Sequence, residues 1–214
     1  MKYFILYDDI CSYQCHYNRL SASRKKRADL LKSEQEKKKF VCSENITMDL
    51  LHFIYGTNNP DICGGPGEMP VVSNADVAFS RSYAEDTLCL TFDDKNHIGT
   101  DAEKIQIADQ LLMEFFFTEE EKQYVAASPD KDFAFTLLWT RKESFMKYTG
   151  DGLNFSFNQL NTVPLESIQK GEKLFLHNDK CRNGYMNSYH IDDLIISVTS
   201  GNNECFPEFR KVKR

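Results

Sequence analysis

The chain has 214 residues, 41% of them hydrophobic and 27% charged, with a formal net charge of −6. That is enough for one large domain or two small ones around an ordinary core, and no apolar run approaches the ~18 residues a membrane span needs. The acidic balance argues against general nucleic-acid binding, and seven cysteines without a CxxC pair argue against structural zinc and for reduced thiols.

The opening residues, Met1 to Asp9, turn acidic too soon for a signal peptide and read as a strand, so a cytoplasmic protein is expected. Nine of the 26 basic residues then fall between Arg19 and Lys39. In an acidic chain this marks a local anionic ligand or a solvated helix face. Apolar spacing from Leu20 to Tyr55 predicts two helices, with Ser43 or Asn45 capping the second. Gly56 to Pro70 reads as a loop. Strands are predicted at Val77–Ser80, Thr87–Phe92 and Ile98–Glu103, with a turn at Asp93–Asn96.

A helix is expected from about Lys104 to Met113, and another over Thr118–Ala126, where Thr118 and Glu121 have capping-box spacing. Ser128-Pro129-Asp130 opens a third, which ends near Gly150. Strands follow at Leu174–His177, Tyr185–His190 and Leu194–Thr199, and the basic tail after Arg210 is expected to fray. The segments Ser82–Leu88 and Ser188–Leu194 match at Ser, Tyr, Asp and Leu with an offset of 106 residues. The fold class expected is therefore α+β, as two similar halves in pseudo-twofold arrangement, residues 1–97 and 98–214, with a ligand site at their junction.

Two charged motifs carry the chemistry. Asp101 and Glu103, in Gly99-Thr100-Asp101-Ala102-Glu103-Lys104, are two apart and share one face of a strand. Trp139, Glu143 and Lys147 are each four apart and form one stripe of a helix. Packed together, they bring three carboxylates and one or two ammonium groups to one place. That is a magnesium site completed by a phosphate, which Lys142 and Lys147 would hold. An exposed strand end and a plain surface i,i+4 pair are the alternatives. Trp139, the single tryptophan, is expected to pack in the core.

Gly-x-Asp-x-Glu-Lys followed by Trp-x-x-Lys-Glu-Ser-x-x-Lys resembles the 4'-phosphopantetheinyl transferases of the surfactin-synthetase type. The resemblance implies transfer of phosphopantetheine from coenzyme A to a serine of an apo acyl or peptidyl carrier protein, releasing 3',5'-ADP. It implies magnesium as cofactor and coenzyme A as co-substrate. Asp101, Glu103 and Glu143 match the metal ligands, and Lys147 matches the lysine beside the pyrophosphate. Glu121 matches a glutamate that assists the metal or the base. Ser80-Arg81-Ser82 stands where the family contacts the 3'-phosphate, and Arg24, Arg27 and Lys39 fall near its basic coenzyme A contacts. Arg81 replaces a usual histidine, and Thr100 and Ala102 replace larger aliphatic residues. The pseudo-duplicated length implies a monomer, with neither nucleic acid nor membrane as partner. The competing readings are a metal-dependent nuclease and a non-catalytic module that binds coenzyme A or a carrier.

Overall fold

The computed structural model describes residues 2–66, 68–150, 152, 157–164, 184–202 and 210–212. Its first strand, β1 (Lys2–Tyr7), shows the period-two logic on which the molecule is built. Ile5 and Tyr7 face a core shared with the first helices, while Phe4 and Leu6 face a second core shared with Ala102, Ile196 and Val198.

Two helices follow, as expected, but the break between them lies earlier. α1 (Ala22–Asp29) is capped by Ser21, and α2 (Glu34–Tyr55) is capped by Ser33 and ends at Gly56 in the left-handed region. The two residues expected to cap the second helix instead lie within α2. The Ser43 hydroxyl donates to Phe40 O, and Asn45 Nδ2 donates to Val41 O. These back-bonds satisfy both side chains inside a helix, so neither interrupts it.

The glycine- and proline-rich loop contains a short ribbon, β2 (Ile62–Cys63) with β3 (Val71–Val72). Then β4 (Ala78–Ala84) and β5 (Thr87–Asp93) form a hairpin, with β5 antiparallel to β1 on its other side.

The second half begins with β6 (Ile98–Lys104). Strand continues through Lys104, where a helix was expected to start. α3 (Gln110–Phe116) begins only where Asp109 accepts from the Leu111 and Leu112 amides. α4 (Glu119–Ala127) carries the expected capping box between Thr118 and Glu121. α5 (Lys131–Thr149) runs from the Asp130 cap to left-handed Gly150. β7 (Tyr185–Ile191) and β8 (Leu194–Ser200) form a hairpin, and β8 pairs antiparallel with β6. The expected strand at Leu174–His177 lies outside the described residues. The tail expected to fray supplies β9 (Arg210–Val212), which pairs parallel with Ile5–Tyr7.

The fold is thus α+β, with sheet orders β4-β5-β1-β9 and β6-β8-β7. Each half contains one strand, then helices, then a hairpin whose second strand lies antiparallel to the first. The sequence repeat falls on these two hairpins but is out of step with them. The closing pairs are Ala84↔Thr87 and Ile191↔Leu194, an offset of 107, whereas the residue matches run at 106. A slip of one residue changes the face, so the matched serines are not structural equivalents.

Candidate functional site

The site lies where β6 meets α5. Thr100 and Ala102 face the core between the sheets, so Gly99, Asp101 and Glu103 face α5. Gly99 makes the close approach possible. A Cβ there would stand 2.0 Å from Ser144 O and 2.3 Å from Tyr148 N, both backbone atoms of α5. The helix is fixed on the same sheet by hydroxyl pairs to the neighbouring strand β8, Thr140 with Ser197 and Ser144 with Thr199, each at 2.9 Å.

Within this contact Asp101 is buried, and Lys147 Nζ donates to its Oδ1 at 2.7 Å. The Ser82 hydroxyl, from β4 in the other half, donates to the same oxygen at 2.8 Å and accepts from Lys147 at 3.2 Å. Oδ2 of Asp101 is buried and has no partner among the described residues. Glu103 and Glu143 are half-buried around it. Burial, followed by the negative charge of Asp101, pushes each carboxyl up to about 7. Burial works against the Lys147 charge, but the Asp101 carboxylate outweighs it and holds the ammonium above its ordinary value.

Among the described residues no three acidic, histidine or cysteine side chains are already drawn into a closed ligand set. The chemistry of the donors nevertheless fits a hard divalent cation. One carboxylate oxygen is buried without a partner among the described residues, and burial with the Asp101 charge pushes two neighbouring carboxyls up to about 7.

Beside this cluster opens a cleft of about 390 Å³ between the halves. Arg24, Arg27, Ser80, Arg81 and Lys147 all line it, over a floor that includes Phe40. Sequence reasoning missed the residue that organises this wall. Glu44, fully buried in α2, accepts from Arg24 Nε at 2.8 Å and, through the same oxygen, from Arg81 Nη2. Two guanidiniums thus share one carboxylate, and both sit over the Phe40 ring. Burial raises the cost of the Glu44 charge, yet the two arginines hold its carboxyl below the ordinary range. Nη1 of Arg81 and Oε2 of Glu44 are buried and have no partner among the described residues. An acid flanked by apolar Phe40, Val41, Ile46 and Met48 at helical spacing was the available signal.

Ser80 meets the second half as well, its hydroxyl accepting from the Thr100 amide at 2.9 Å. Lys39 is engaged elsewhere, at the β4–β5 turn, where it pairs with Asp86 at 2.9 Å. Glu121 and Lys142 are brought to each other, at 2.8 Å and fully buried. Glu121 also accepts from the Thr118 amide and from Thr162, while Lys142 donates to Phe157 O. Burial lowers the Lys142 ammonium despite the Glu121 charge beside it. Trp139 packs edge-on against Phe116, as a core residue would.

Residues 97–199 match the family model of the 4'-phosphopantetheinyl transferase superfamily. The chain is 28% identical over 130 residues to 4'-phosphopantetheinyl transferase psf-1 of Bacillus pumilus, covering 60% of this chain and 54% of that protein. It is 30% identical over 93 residues to 4'-phosphopantetheinyl transferase AcpT of Salmonella typhimurium, covering 42% and 48%. The chain therefore spans about half the length of the curated relatives it matches. The crystal structure of Thermotoga maritima holo-[acyl-carrier-protein] synthase overlaps 49% of this chain and 61% of its own, with a TM-score of 0.38 and 18% identity. Among the described residues no helix is long and apolar enough to cross a membrane. The two motifs are packed together inside the segment that matches the model of the 4'-phosphopantetheinyl transferase superfamily, which is just under half of the chain.

Proposed function

We propose that this protein transfers 4'-phosphopantetheine from coenzyme A to a serine of an apo acyl or peptidyl carrier protein, releasing 3',5'-ADP. The observation that carries this is the meeting of an acidic cluster, with one buried unpartnered oxygen, and a cleft lined by three arginines and Lys147. A dianionic pyrophosphate with a phosphate at its far end needs both, a cation site at one end and guanidiniums at the other.

In this reading Asp101, Glu103 and Glu143 hold magnesium. The ion supplies neutralisation of the pyrophosphate and of the leaving 3',5'-ADP oxygen. Ser82 and Lys147 fix Asp101 through Oδ1 and leave Oδ2 turned to its task. Lys147 adds a point charge beside the transferred phosphate. Arg24, Arg27 and Arg81 bind the nucleotide end, and Arg81 reads the 3'-phosphate through its unpartnered Nη1. The serine oxygen attacks the phosphorus that bears pantetheine, and the bond to the bridging oxygen breaks. The serine proton passes to a carboxylate of the site. Positioning and charge neutralisation do most of this work.

Glu121 and Lys142 take no part in this scheme. Their buried pair holds residues 157–162 against α4 and α5. The protein is expected to act as a cytoplasmic monomer.

The test is incubation with magnesium, coenzyme A and a panel of apo carrier domains, read by intact mass. A carrier that gains the phosphopantetheine mass is the expected result. Cleavage of added DNA or RNA instead would favour a nuclease. Coenzyme A binding without any modification would favour a binding module.

A further inference from the structure

Outside the cleft, the described cysteines are all free thiols, and two of them touch. Cys42, buried in the middle of α2, donates its S–H to Cys15 Sγ at 2.8 Å. Cys15 sits between the first strand and α1 and is half-buried. It also lines a surface cleft of about 420 Å³, together with Tyr17, Asp29, Glu34, Lys37 and Lys38. One thiol of the pair can therefore be reached from solvent, through a cleft of mixed charge in which Lys37 pairs with Asp29, while the other cannot.

We propose that Cys15 and Cys42 form a reversible disulfide, with a small-molecule disulfide of the oxidised-glutathione class as oxidant. The balance is a two-electron exchange. The Cys15 thiolate attacks the reagent and releases one thiol, leaving a mixed disulfide on Cys15. Cys42, having lost its proton to solvent base, then attacks the Cys15 sulfur and releases the second thiol. The protein loses two hydrogens and the reagent gains them. This order follows from exposure, and the chemistry agrees. Burial, followed by the neighbouring Cys15, pushes the Cys42 thiol up to about 12, so Cys42 is the poorer first nucleophile. Bond formation asks little of the backbone, since the sulfurs need to close by less than about 1 Å.

The position of the crosslink gives it meaning. The loop it closes contains Arg24, Arg27 and Phe40, the wall and floor of the cleft, and Glu44 follows Cys42 by two residues. Oxidation would staple the basic segment to the helix that organises its arginines. The site stands independently of the reaction proposed above.

The test uses the full chain, oxidised with glutathione disulfide at pH 8 and alkylated before analysis. The expected intact mass falls by about 2 Da, with a non-reduced peptide pair joining Cys15 and Cys42. The melting temperature rises by about 5 °C or more and returns on reduction. Cys15→Ser, at a half-exposed position, should abolish the mass loss, while Cys11→Ser should leave it. Cys42→Ala should stop at a stable mixed disulfide on Cys15. No mass loss in the folded wild type, or a peptide pair joining other cysteines, would overturn the proposal.

Discussion

Two carboxylate–lysine pairs hang from α5 within two turns of each other, and they are built to opposite plans. Lys142 meets Glu121 and Lys147 meets Asp101, at 2.8 and 2.7 Å. The first pair is closed. Glu121 Oε1 takes the amide and hydroxyl of Thr162, Oε2 takes the Thr118 amide and the ammonium, and Lys142 spends its remaining protons on carbonyls at 157 and 160. The second pair is open. Asp101 keeps one buried oxygen without a partner, and two further carboxyls crowd it with no second cation to balance them. A buried pair with every lone pair satisfied organises the chain around it. A buried pair in charge deficit is unfavourable until something else binds.

That contrast predicts opposite mutational signatures. The largest effect is expected for Glu121→Ala, which leaves Lys142 buried and alone. It should cost about 3–5 kcal/mol of unfolding free energy in denaturant titration, the range for breaking a buried ion pair. A loss below about 1 kcal/mol would mean that the closed pair is not structural. Glu143→Gln should do the reverse. It removes a charge from a crowded cluster, so stability at pH 8 should hold or rise, while turnover falls about 10²–10³-fold. Wild-type turnover in that variant would remove Glu143 from the cluster's function.

The sequence made the open site legible because its signals are local. A two-residue spacing and a four-residue spacing each define a face without knowledge of the partner, and Gly99 marks the close approach between them. The closed site was misread because its partners are remote. Glu121 carried a capping-box signature and a place in an acidic run, but its bond to Thr162 spans 41 residues and leaves no local trace. Ser82 was grouped with Arg81 as a phosphate contact. Neighbours on a strand face opposite sides, so Arg81 turns to Glu44 while Ser82 turns to Asp101. The break between α1 and α2 went to Ser43 and Asn45 because capping residues and back-bonding residues are of the same types, and only the fold tells them apart. The tail was read as frayed because a three-residue edge strand has no sequence signature once its pairing partner lies some 200 residues away.

The cleft sharpens the comparison from the ligand side. Arg81 also belongs to a buried cluster in which two atoms, its Nη1 and Oε2 of Glu44, are unpartnered among the described residues. If Nη1 reads the 3'-phosphate, Arg81→Ala should weaken coenzyme A binding by roughly 1.5–3 kcal/mol, the range for a hydrogen bond to a charged group. Dephospho-coenzyme A, which lacks the phosphate, should lose almost nothing. Glu44 keeps Arg24 in the variant, so the wall retains a paired acid. Equal losses with both ligands, measured by calorimetry, would show that Arg81 shapes the cleft without reading that phosphate.

The smallest effect is the most direct probe of the open site. Folding lifts the carboxyls of Glu103 and Glu143 from an ordinary 4.5 to about 7. Between these values the folded chain holds more protons than the unfolded one, so this pair makes stability fall as pH rises through the window and levels it above about 7. Below 4.5 both states are protonated and the penalty vanishes. Lys147, with its pKa raised, stays charged throughout and contributes no slope there. The slope belongs to the cluster only if Glu143→Gln flattens it. A divalent cation should offset the penalty where the carboxyls are ionised and have little to act on where they are not. Magnesium at tenfold excess over its dissociation constant would add about 1.4 kcal/mol, or about 3–5 °C in melting temperature for a chain of this size. That rise is expected at pH 8, should be close to absent at pH 5, and should shrink in Glu143→Gln. A rise of the same size at both pH values would mean that magnesium binds somewhere other than Asp101, Glu103 and Glu143.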